Sequence, residues 1–242
     1  MRTQSLMWAI IVCCLFLQNL HAQDKVLVYE PQLPILIERH DNVLFNLRID
    51  AKENKTLSEV KLFFREGVKL DKIASVKLYY SGTEGAGRKG IHYAPNLDYI
   101  ANRLPGNTLV ANPSYSILKS EVASPKSQVT FKANQKLFPG VNYFWVSLRM
   151  KPNASVRSKI SAEIIDVKLD GKSVALEQVN KQDAHYLGIG VRHSGDDGVE
   201  SYRIPGLVTT NAGTLLGVYD IRHNNSADLQ EYVEIGLSRS TD

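Results

Sequence analysis

Short runs of β-branched and aromatic residues, separated by turn residues, follow one another along most of the chain. Within several of them apolar and polar side chains alternate, as in residues 73–80 and 231–239. A period of two is typical of a β-strand with one buried face. The pattern predicts strands at 26–29, 35–37, 43–49, 57–65, 73–80, 141–150, 159–169, 172–176, 202–208, 214–219 and 231–239.

The spacing of these strands predicts an all-β protein. Only residues 96–103 have the pattern of a short helix, and Pro105 would end it. Many short strands without helical crossovers are typical of an antiparallel sandwich, so we expect an N-terminal, jelly-roll-like β-sandwich over residues 23–180. Asp170-Gly171 predicts a two-residue hairpin turn, because this pair tolerates the positive φ that such a turn requires. The polar stretch 180–184 marks the expected end of the sandwich.

The first 22 residues have the pattern of a signal peptide. Arg2 supplies a positive charge, and an apolar stretch of 12 residues, 6–17, follows it. Such a stretch is shorter than the ~20 residues that a membrane-spanning helix needs. The small residue Ala22 predicts cleavage directly after it. We therefore expect an exported protein, periplasmic, surface-bound or extracellular, without a membrane span.

Composition and charge exclude several classes of protein. The chain of 242 residues is 43% apolar and 22% charged, as in ordinary globular proteins. Its only two cysteines, Cys13 and Cys14, lie in the predicted signal peptide, so thiolate chemistry and disulfides are not expected in the mature chain. The net charge is +4 without a basic run, which argues against nucleic acid as a partner.

Several motifs fail when their context is considered. The glycine motif at 85–90 precedes a proline-broken extended segment and not the helix that a dinucleotide site needs. The histidines of the mature chain lack ligand spacing, and Gly195-Asp196-Asp197-Gly198 is more typical of a turn than of a cation loop, so neither a metal nor a cofactor is expected. The rings of Tyr143-Phe144-Trp145 could stack on sugars, but core packing is favoured.

The candidate chemistry lies near the end of the chain. Arg203-Ile204-Pro205 opens a strand, Arg222 ends the next strand, and Asp228 follows in a polar loop. Residues 240–242 have the sequence Ser-Thr-Asp. This ordered set resembles the bacterial exo-α-sialidases (neuraminidases), which carry an Arg-Ile-Pro motif, an Arg before a loop acid, and Asp-boxes beginning S-x-D. The strand pattern before it resembles the β-sandwich that precedes the propeller in one group of these enzymes.

The resemblance implies a fold and a function. Residues 187–242 would begin a six-bladed β-propeller, truncated after its first blade. The activity would be the retaining hydrolysis of terminal sialic acid from glycoproteins, glycolipids and oligosaccharides. A Tyr nucleophile, its Glu partner and two more arginines would lie beyond residue 242, so this polypeptide alone would be inactive.

The resemblance also assigns roles to three residues. Arg203 would bind the substrate carboxylate, for which a planar, always-charged donor fork is suited. Arg222 would bind the sugar ring near its 4-hydroxyl. Asp228 would be the catalytic acid/base, which protonates the leaving oxygen and later activates water. Sialidases use a Tyr nucleophile in place of a second carboxylate.

Two other functions fit the same sequence. The sandwich could be the working part, as a non-catalytic sialoglycan-binding module of a glycan-degrading system. The protein could also be a structural surface component without sugar specificity.

Overall fold

The structure, a computed structural model, describes residues 24–83, 117–228 and 232–240. The predicted signal peptide, the helix at 96–103 and the glycine motif at 85–90 lie outside these residues. Strands make up 61% of the described part and helices almost none of it, which confirms the all-β prediction. The strands are β1 Lys25–Tyr29, β2 Ile35–Leu36, β3 Asn42–Ala51, β4 Lys55–Phe64, β5 Ile73–Gly82, β6 Ile117–Ala123, β7 Gln128–Leu137, β8 Gly140–Met150, β9 Lys159–Ile160, β10 Ala162–Leu169, β11 Lys172–Ser173, β12 Leu176–Val179, β13 His185–Gly188, β14 Ser201–Thr209, β15 Leu215–Arg222 and β16 Val233–Ser240.

Two sheets form the predicted β-sandwich. One has six strands in the order β12-β1-β3-β8-β5-β6, and the other has four in the order β11-β10-β4-β7. The pairs are antiparallel as expected, except that β12 runs parallel to β1. β6 and β7 were not predicted from the pattern, and the predicted strand 159–169 is divided into β9 and β10.

One hydrophobic core fills the space between the two sheets. Alternate residues of each strand enter it, because successive side chains of a strand point to opposite faces. Phe144 and Val146 of β8 enter from the six-stranded sheet, and Leu62 and Phe64 of β4 enter from the four-stranded sheet. All four side chains are buried, so the sandwich has the core that its strand pattern predicted.

The opposite face of the six-stranded sheet is also buried at its centre. Trp145 is fully buried there and stacks on Tyr79, with ring centroids 4.4 Å apart. Tyr143, two residues earlier on the same face, is buried too, while Phe144 points into the core between the sheets. Phe144 therefore packs in the core as favoured, and Tyr143 and Trp145 are buried on the other face, so none of the three is an exposed ring.

A buried ion pair lies beside these rings. The Oδ1 atom of Asp41 accepts hydrogen bonds from Lys77 Nζ at 3.1 Å, Tyr79 Oη at 3.0 Å and Ser147 Oγ at 2.8 Å. Burial and the charge of Asp41 raise the pKa of the Tyr79 phenol far above its usual value, so Tyr79 acts as a neutral hydrogen-bond donor. The cluster joins the start of β3 to β5 and β8.

The hairpin between β10 and β11 has the predicted turn. Asp170 and Gly171 have φ angles of 48° and 78°, and Leu169 pairs with Lys172 across the turn. The Oδ1 atom of Asp170 accepts a hydrogen bond from the Thr56 amide at 2.9 Å, which ties the turn to β4.

Two small three-stranded sheets complete the described fold. In the third sheet β13 lies between β2 and β9, so the chain leaving the sandwich is bound to its strands. His185 of β13 is buried against Glu30, with 3.0 Å between Nε2 and Oε1. The fourth sheet is an antiparallel meander of β14, β15 and β16. It carries the three candidate site residues.

Candidate functional site

The candidate site lies at one end of the fourth sheet. Arg203 belongs to β14, Arg222 is the last residue of β15, and Asp228 follows in the loop 223–228. In the ladder, Arg203 is directly opposite Asp220. Directly opposite residues share a face of the sheet, and so do residues two apart on one strand. Both arginines therefore project from the same face.

A β-bulge interrupts β14 directly after Arg203. The pairing passes from Arg203–Asp220 to Gly206–Val218, so β14 holds one extra residue there. Ile204 has a φ of 52°, a conformation that is costly for a β-branched side chain. Pro205 follows and has no N–H to donate to the ladder. Local strain is thus stored beside Arg203, as is typical of functional sites.

The Arg203 guanidinium binds the loop that carries Asp228. Its Nη1 donates to the Ser226 carbonyl at 2.6 Å and to Asp228 Oδ1 at 3.0 Å. Within the part of the chain that the structure describes, its Nε and Nη2 have no protein partner. The side chain is 38% exposed. Arg203 therefore keeps one edge of its planar fork available for an anion.

Arg222 is buried and is almost fully bonded to protein. Its side chain is only 4% exposed. Nη1 donates to Asp228 Oδ1 at 2.7 Å and to the carbonyls of Ser226 and Ala227 at 3.2 and 2.6 Å. Nη2 donates to Asp220 Oδ2 at 2.9 Å, and Nε is buried without a partner. In this arrangement Arg222 holds the Asp228 loop.

Arg203 and Arg222 both donate a hydrogen bond to the same carboxylate oxygen of Asp228, Oδ1. A hydrogen bond from Arg222 and then the charge of Arg203 lower the pKa of the Asp228 carboxyl below its usual value. The carboxylate is therefore ionised at neutral pH in this arrangement. To act as a proton donor, Asp228 must first be protonated, which requires weaker contact with the two arginines. Its side chain is 64% exposed, so a ligand can reach it.

The structure thus brings together the three residues that the sequence singled out. Asp220, which the sequence analysis did not single out, belongs to the same cluster. Its spacing of two from Arg222, directly after the predicted strand 214–219, was the signal that could have identified it.

A second cluster lies on the other face of the fourth sheet. The Tyr219 hydroxyl accepts a hydrogen bond from Arg192 Nε at 3.0 Å, and it lies 2.8 Å from Ser238 Oγ, with which it shares a second hydrogen bond. These hydrogen bonds, that of Ser238 first, lower the pKa of the Tyr219 phenol. Arg192 also binds Asp197 at 2.8 Å, in the 195–198 segment. That segment is a tight turn, as expected, with φ of 93° at Gly195. The cluster fastens residues 192–197 to the back of the sheet.

A third group lies where the 223–228 loop meets β16. His223 Nε2 is 2.9 Å from Glu234 Oε2, and the Tyr232 hydroxyl donates to Glu234 Oε1 at 3.0 Å. These two contacts, that of His223 first, lower the pKa of Glu234. Sequence reasoning did not connect these residues, since only the β15–β16 pairing brings them together.

The described residues lack two features. They contain no group of three or more His, Cys, Asp or Glu side chains placed to hold a metal ion. Over the same residues, no helix has the length and apolar character needed to cross a membrane.

The fold and the Arg–Asp cluster define a class of protein: a β-sandwich followed by an antiparallel sheet that presents two arginines and a carboxylate. Residues 23–173 match the family model described as the N-terminal domain of BNR-repeat neuraminidase. The chain therefore belongs to the BNR-repeat neuraminidase family, through the N-terminal domain of that family.

Similar proteins of known identity are sialidases. The chain is 57% identical over 222 residues to a sialidase of Bacteroides fragilis (strain YCH46), a match that covers 91% of this chain and 41% of that protein. The solved structure of the Hadza microbial sialidase Hz136 matches with a TM-score of 0.75 and 42% identity, covering 89% of this chain and 42% of that one. The chain spans about two fifths of the length of these relatives.

Proposed function

We propose that the chain is part of an exo-α-sialidase, which releases terminal sialic acid from glycoconjugates with retention. The observation that supports this most is the contact of Arg203 and Arg222 with one oxygen of Asp228, at 3.0 and 2.7 Å, in a chain similar to sialidases over about nine tenths of its length.

Arg203 is the proposed carboxylate-binding group. Sialic acid carries a carboxylate on its anomeric carbon, and a guanidinium can bind it through two parallel N–H bonds. Nη1 of Arg203 is engaged by the Asp228 loop, so the Nε–Nη2 edge receives the substrate. Arg222 is the proposed ligand of the sugar ring near its 4-hydroxyl, and it also holds the loop that carries Asp228.

Asp228 is the proposed acid/base. A substrate carboxylate at Arg203 adds negative charge beside Asp228, which raises the Asp228 pKa and favours the protonated acid. The leaving oxygen then takes this proton, and the resulting carboxylate later activates water. The Tyr nucleophile, its Glu partner and two further arginines belong to the remainder of the enzyme.

The fourth sheet is proposed as the start of a six-bladed propeller. Propeller blades are four-stranded antiparallel sheets, and β14, β15 and β16 form such a meander of three. The sheet exposes apolar side chains that neighbouring blades would cover, among them Leu207 and Ile235, the latter 83% exposed. We further propose export after cleavage at Ala22, since polymeric sialoglycans lie outside the cell.

A chimera tests the proposal. In it, this chain replaces the matched segment of the Bacteroides fragilis sialidase, which the 57% identity makes feasible. We expect the chimera to hydrolyse a fluorogenic sialoside, whereas the 242-residue chain alone does not. Asp197→Asn, at a carboxylate–guanidinium pair in the cluster on the other face of the fourth sheet, is the matched control and should retain activity. A folded chimera without activity would contradict the proposed function.

A second candidate function places the binding role in the sandwich. The outer face of the six-stranded sheet has a shallow groove of about 250 Å³, lined by Lys25, Leu27, Arg48, Asp50 and Glu177. A groove with charged side chains along a mostly apolar surface could hold part of an oligosaccharide. A glycan array probed with residues 23–180 tests it, and an Arg48→Ala variant should lose any binding that occurs there. Silence on the array would contradict a sugar-binding role of the sandwich.

A further inference from the structure

The loop 223–228 folds around the Arg222 guanidinium. Nη1 of Arg222 donates to the carbonyls of Ser226 and Ala227 as well as to Asp228 Oδ1. The Ala227 amide donates to Asn225 Oδ1 at 2.8 Å, and Arg203 adds its bond to Ser226. The position of Asp228 therefore depends on where the two guanidinium groups are held.

Asp220 anchors Arg222 to the strand. Its Oδ2 accepts from Arg222 Nη2 at 2.9 Å. Arg222 Nε is buried and has no partner, so Asp220 is its acceptor on the strand side within the described residues. Because a guanidinium is rigid and planar, one charged bond at Nη2 sets the direction of both N–H bonds at Nη1. The Asp220 contact thereby orients the bonds that hold the loop.

The register of the sheet fixes Asp220 itself. In β15 it lies between Arg203 on β14 and Ile235 on β16, paired on both sides. It shares a face with Arg222, two residues later. A central strand with partners on both sides is the least movable part of the sheet, so an anchor placed there is well suited to position a loop.

Asp220 also balances the charge of the cluster. Arg203 and Arg222 face Asp220 and Asp228, two positive against two negative groups. Without Asp220, the buried Arg222 would retain only Asp228 as its countercharge. A buried charge that loses a partner is strongly destabilised, and Arg222 would then rotate toward solvent and release the loop.

We infer that Asp220 is a positioning residue: through Arg222 it holds the 223–228 loop in the conformation that presents Asp228. The description of Asp228 as a proton donor rests on the proposed function. The loop conformation itself does not depend on it.

The test uses the 242-residue chain and the variants Asp220→Ala and Asp220→Asn, with Asp197→Asn as the control. Asp197 forms a similar carboxylate–guanidinium pair with Arg192, away from the loop. Hydrogen exchange is followed in the 223–228 amides and in β14 to β16. We expect exchange of the loop to rise at least about tenfold in Asp220→Ala, and less in the isosteric Asp220→Asn, which retains an acceptor oxygen. The strands and the control should be unchanged.

The pKa of Asp228 gives a second readout, measured by NMR with ¹³C-labelled Asp. If Asp220 positions Arg222, its removal frees Arg222 from Asp228, and the Asp228 pKa rises toward its usual value. If Asp220 were only a background negative charge, its removal would lower the Asp228 pKa. The sign of the shift separates the two roles.

Unchanged loop exchange, or a lowered Asp228 pKa, would overturn the inference. Loss of protection throughout the sheet in both variants would also overturn it, because Asp220 would then be a folding residue. None of these measurements uses a sialoside, so an inactive chimera with the expected loop behaviour would reject the proposed function and leave this inference in place. An active chimera whose loop exchange is unaffected by the Asp220 variants would support the proposed function and reject this inference.

Discussion

At the scale of single residues, Arg203 and Arg222 have different roles although they bind the same carboxylate oxygen. Arg203 is 38% exposed and uses only Nη1 on protein, while Arg222 is 4% exposed and uses both Nη1 and Nη2. Within the described residues, Arg203 thus keeps N–H groups available for a ligand, whereas Arg222 uses most of its N–H groups to hold the Asp228 loop.

Arg203→Lys in the chimera tests the binding role. Lysine keeps the charge but loses the planar two-point geometry, so we expect kcat/KM for a sialoside to fall by about a hundredfold or more. The loss should be much smaller for Lys61→Arg, a like-charged exchange on β4 of the sandwich. A variant with normal kcat/KM would remove Arg203 from carboxylate recognition.

Asp228→Asn in the chimera tests the acid/base role. Loss of the proton donor should slow natural sialosides by about 10²–10⁴-fold. Activated aryl sialosides need little proton donation, so they should be affected less. The comparison requires kcat values on both substrate types. Equal losses on both would instead make Asp228 a structural residue of its loop.

At the scale of elements, the fourth sheet depends on glycine where its strands meet aromatic rings. Gly236 of β16 is opposite Tyr219 of β15, and a Cβ at position 236 would overlap the Tyr219 ring. Gly217 of β15 lies in the same sheet, but a Cβ there would meet only Leu207 Cδ1, at 4.0 Å. The two glycines differ in the space that surrounds them.

Gly236→Ala should therefore destabilise the sheet by about 1–3 kcal/mol, because the Tyr219 ring must move away from Arg192 and Ser238. Gly217→Ala is the matched control and should have an effect within about 0.5 kcal/mol. Hydrogen exchange of β15 and β16 measures both. Equal effects would show that Tyr219 can move at no cost.

The β10–β11 hairpin offers a second test at this scale. Gly171 has a φ of 78°, which is unfavourable for alanine, and open space around it. Gly171→Ala should therefore strain the backbone without causing a steric clash. We expect a loss of about 1 kcal/mol in the free energy of unfolding of the sandwich, measured by urea denaturation. Gly188→Ala serves as the control, because it has ordinary φ and ordinary contact with Leu36 at 3.6 Å. A stabilised Gly171→Ala would contradict the turn type.

At the scale of the whole molecule, the sandwich has its own core and should fold without the fourth sheet. Its two sheets share one hydrophobic cluster, to which Leu187 of β13 is the most C-terminal contributor. Residues 23–188 expressed alone should melt in one cooperative transition with a β-type circular dichroism spectrum. The shorter segment 23–180 lacks β13 and should be less stable. A non-cooperative transition in both would mean that the sandwich needs the sheet.

Sequence reasoning recovered much of this fold but did not predict every strand. Most strands on either side of the core were predicted, because their apolar residues alternate or run without interruption. β6 was not, since Lys119, Ser120 and Glu121 interrupt its pattern. β7 was also left out, although Val129 and Phe131 alternate with exposed positions and carried a usable signal.

The sequence by itself determined the strand-rich architecture and the Asp170-Gly171 turn, because periodicity and turn chemistry are local properties, and its ordered motifs indicated three candidate site residues by resemblance. Only the tertiary structure decided that β12 and β13 pair in parallel with distant strands. It also decided that Asp220 contacts Arg222 and that Arg222 is buried while Arg203 is accessible. These features depend on sheet register and on how a loop closes over a guanidinium, and contacts between distant residues leave no periodic trace in a single sequence.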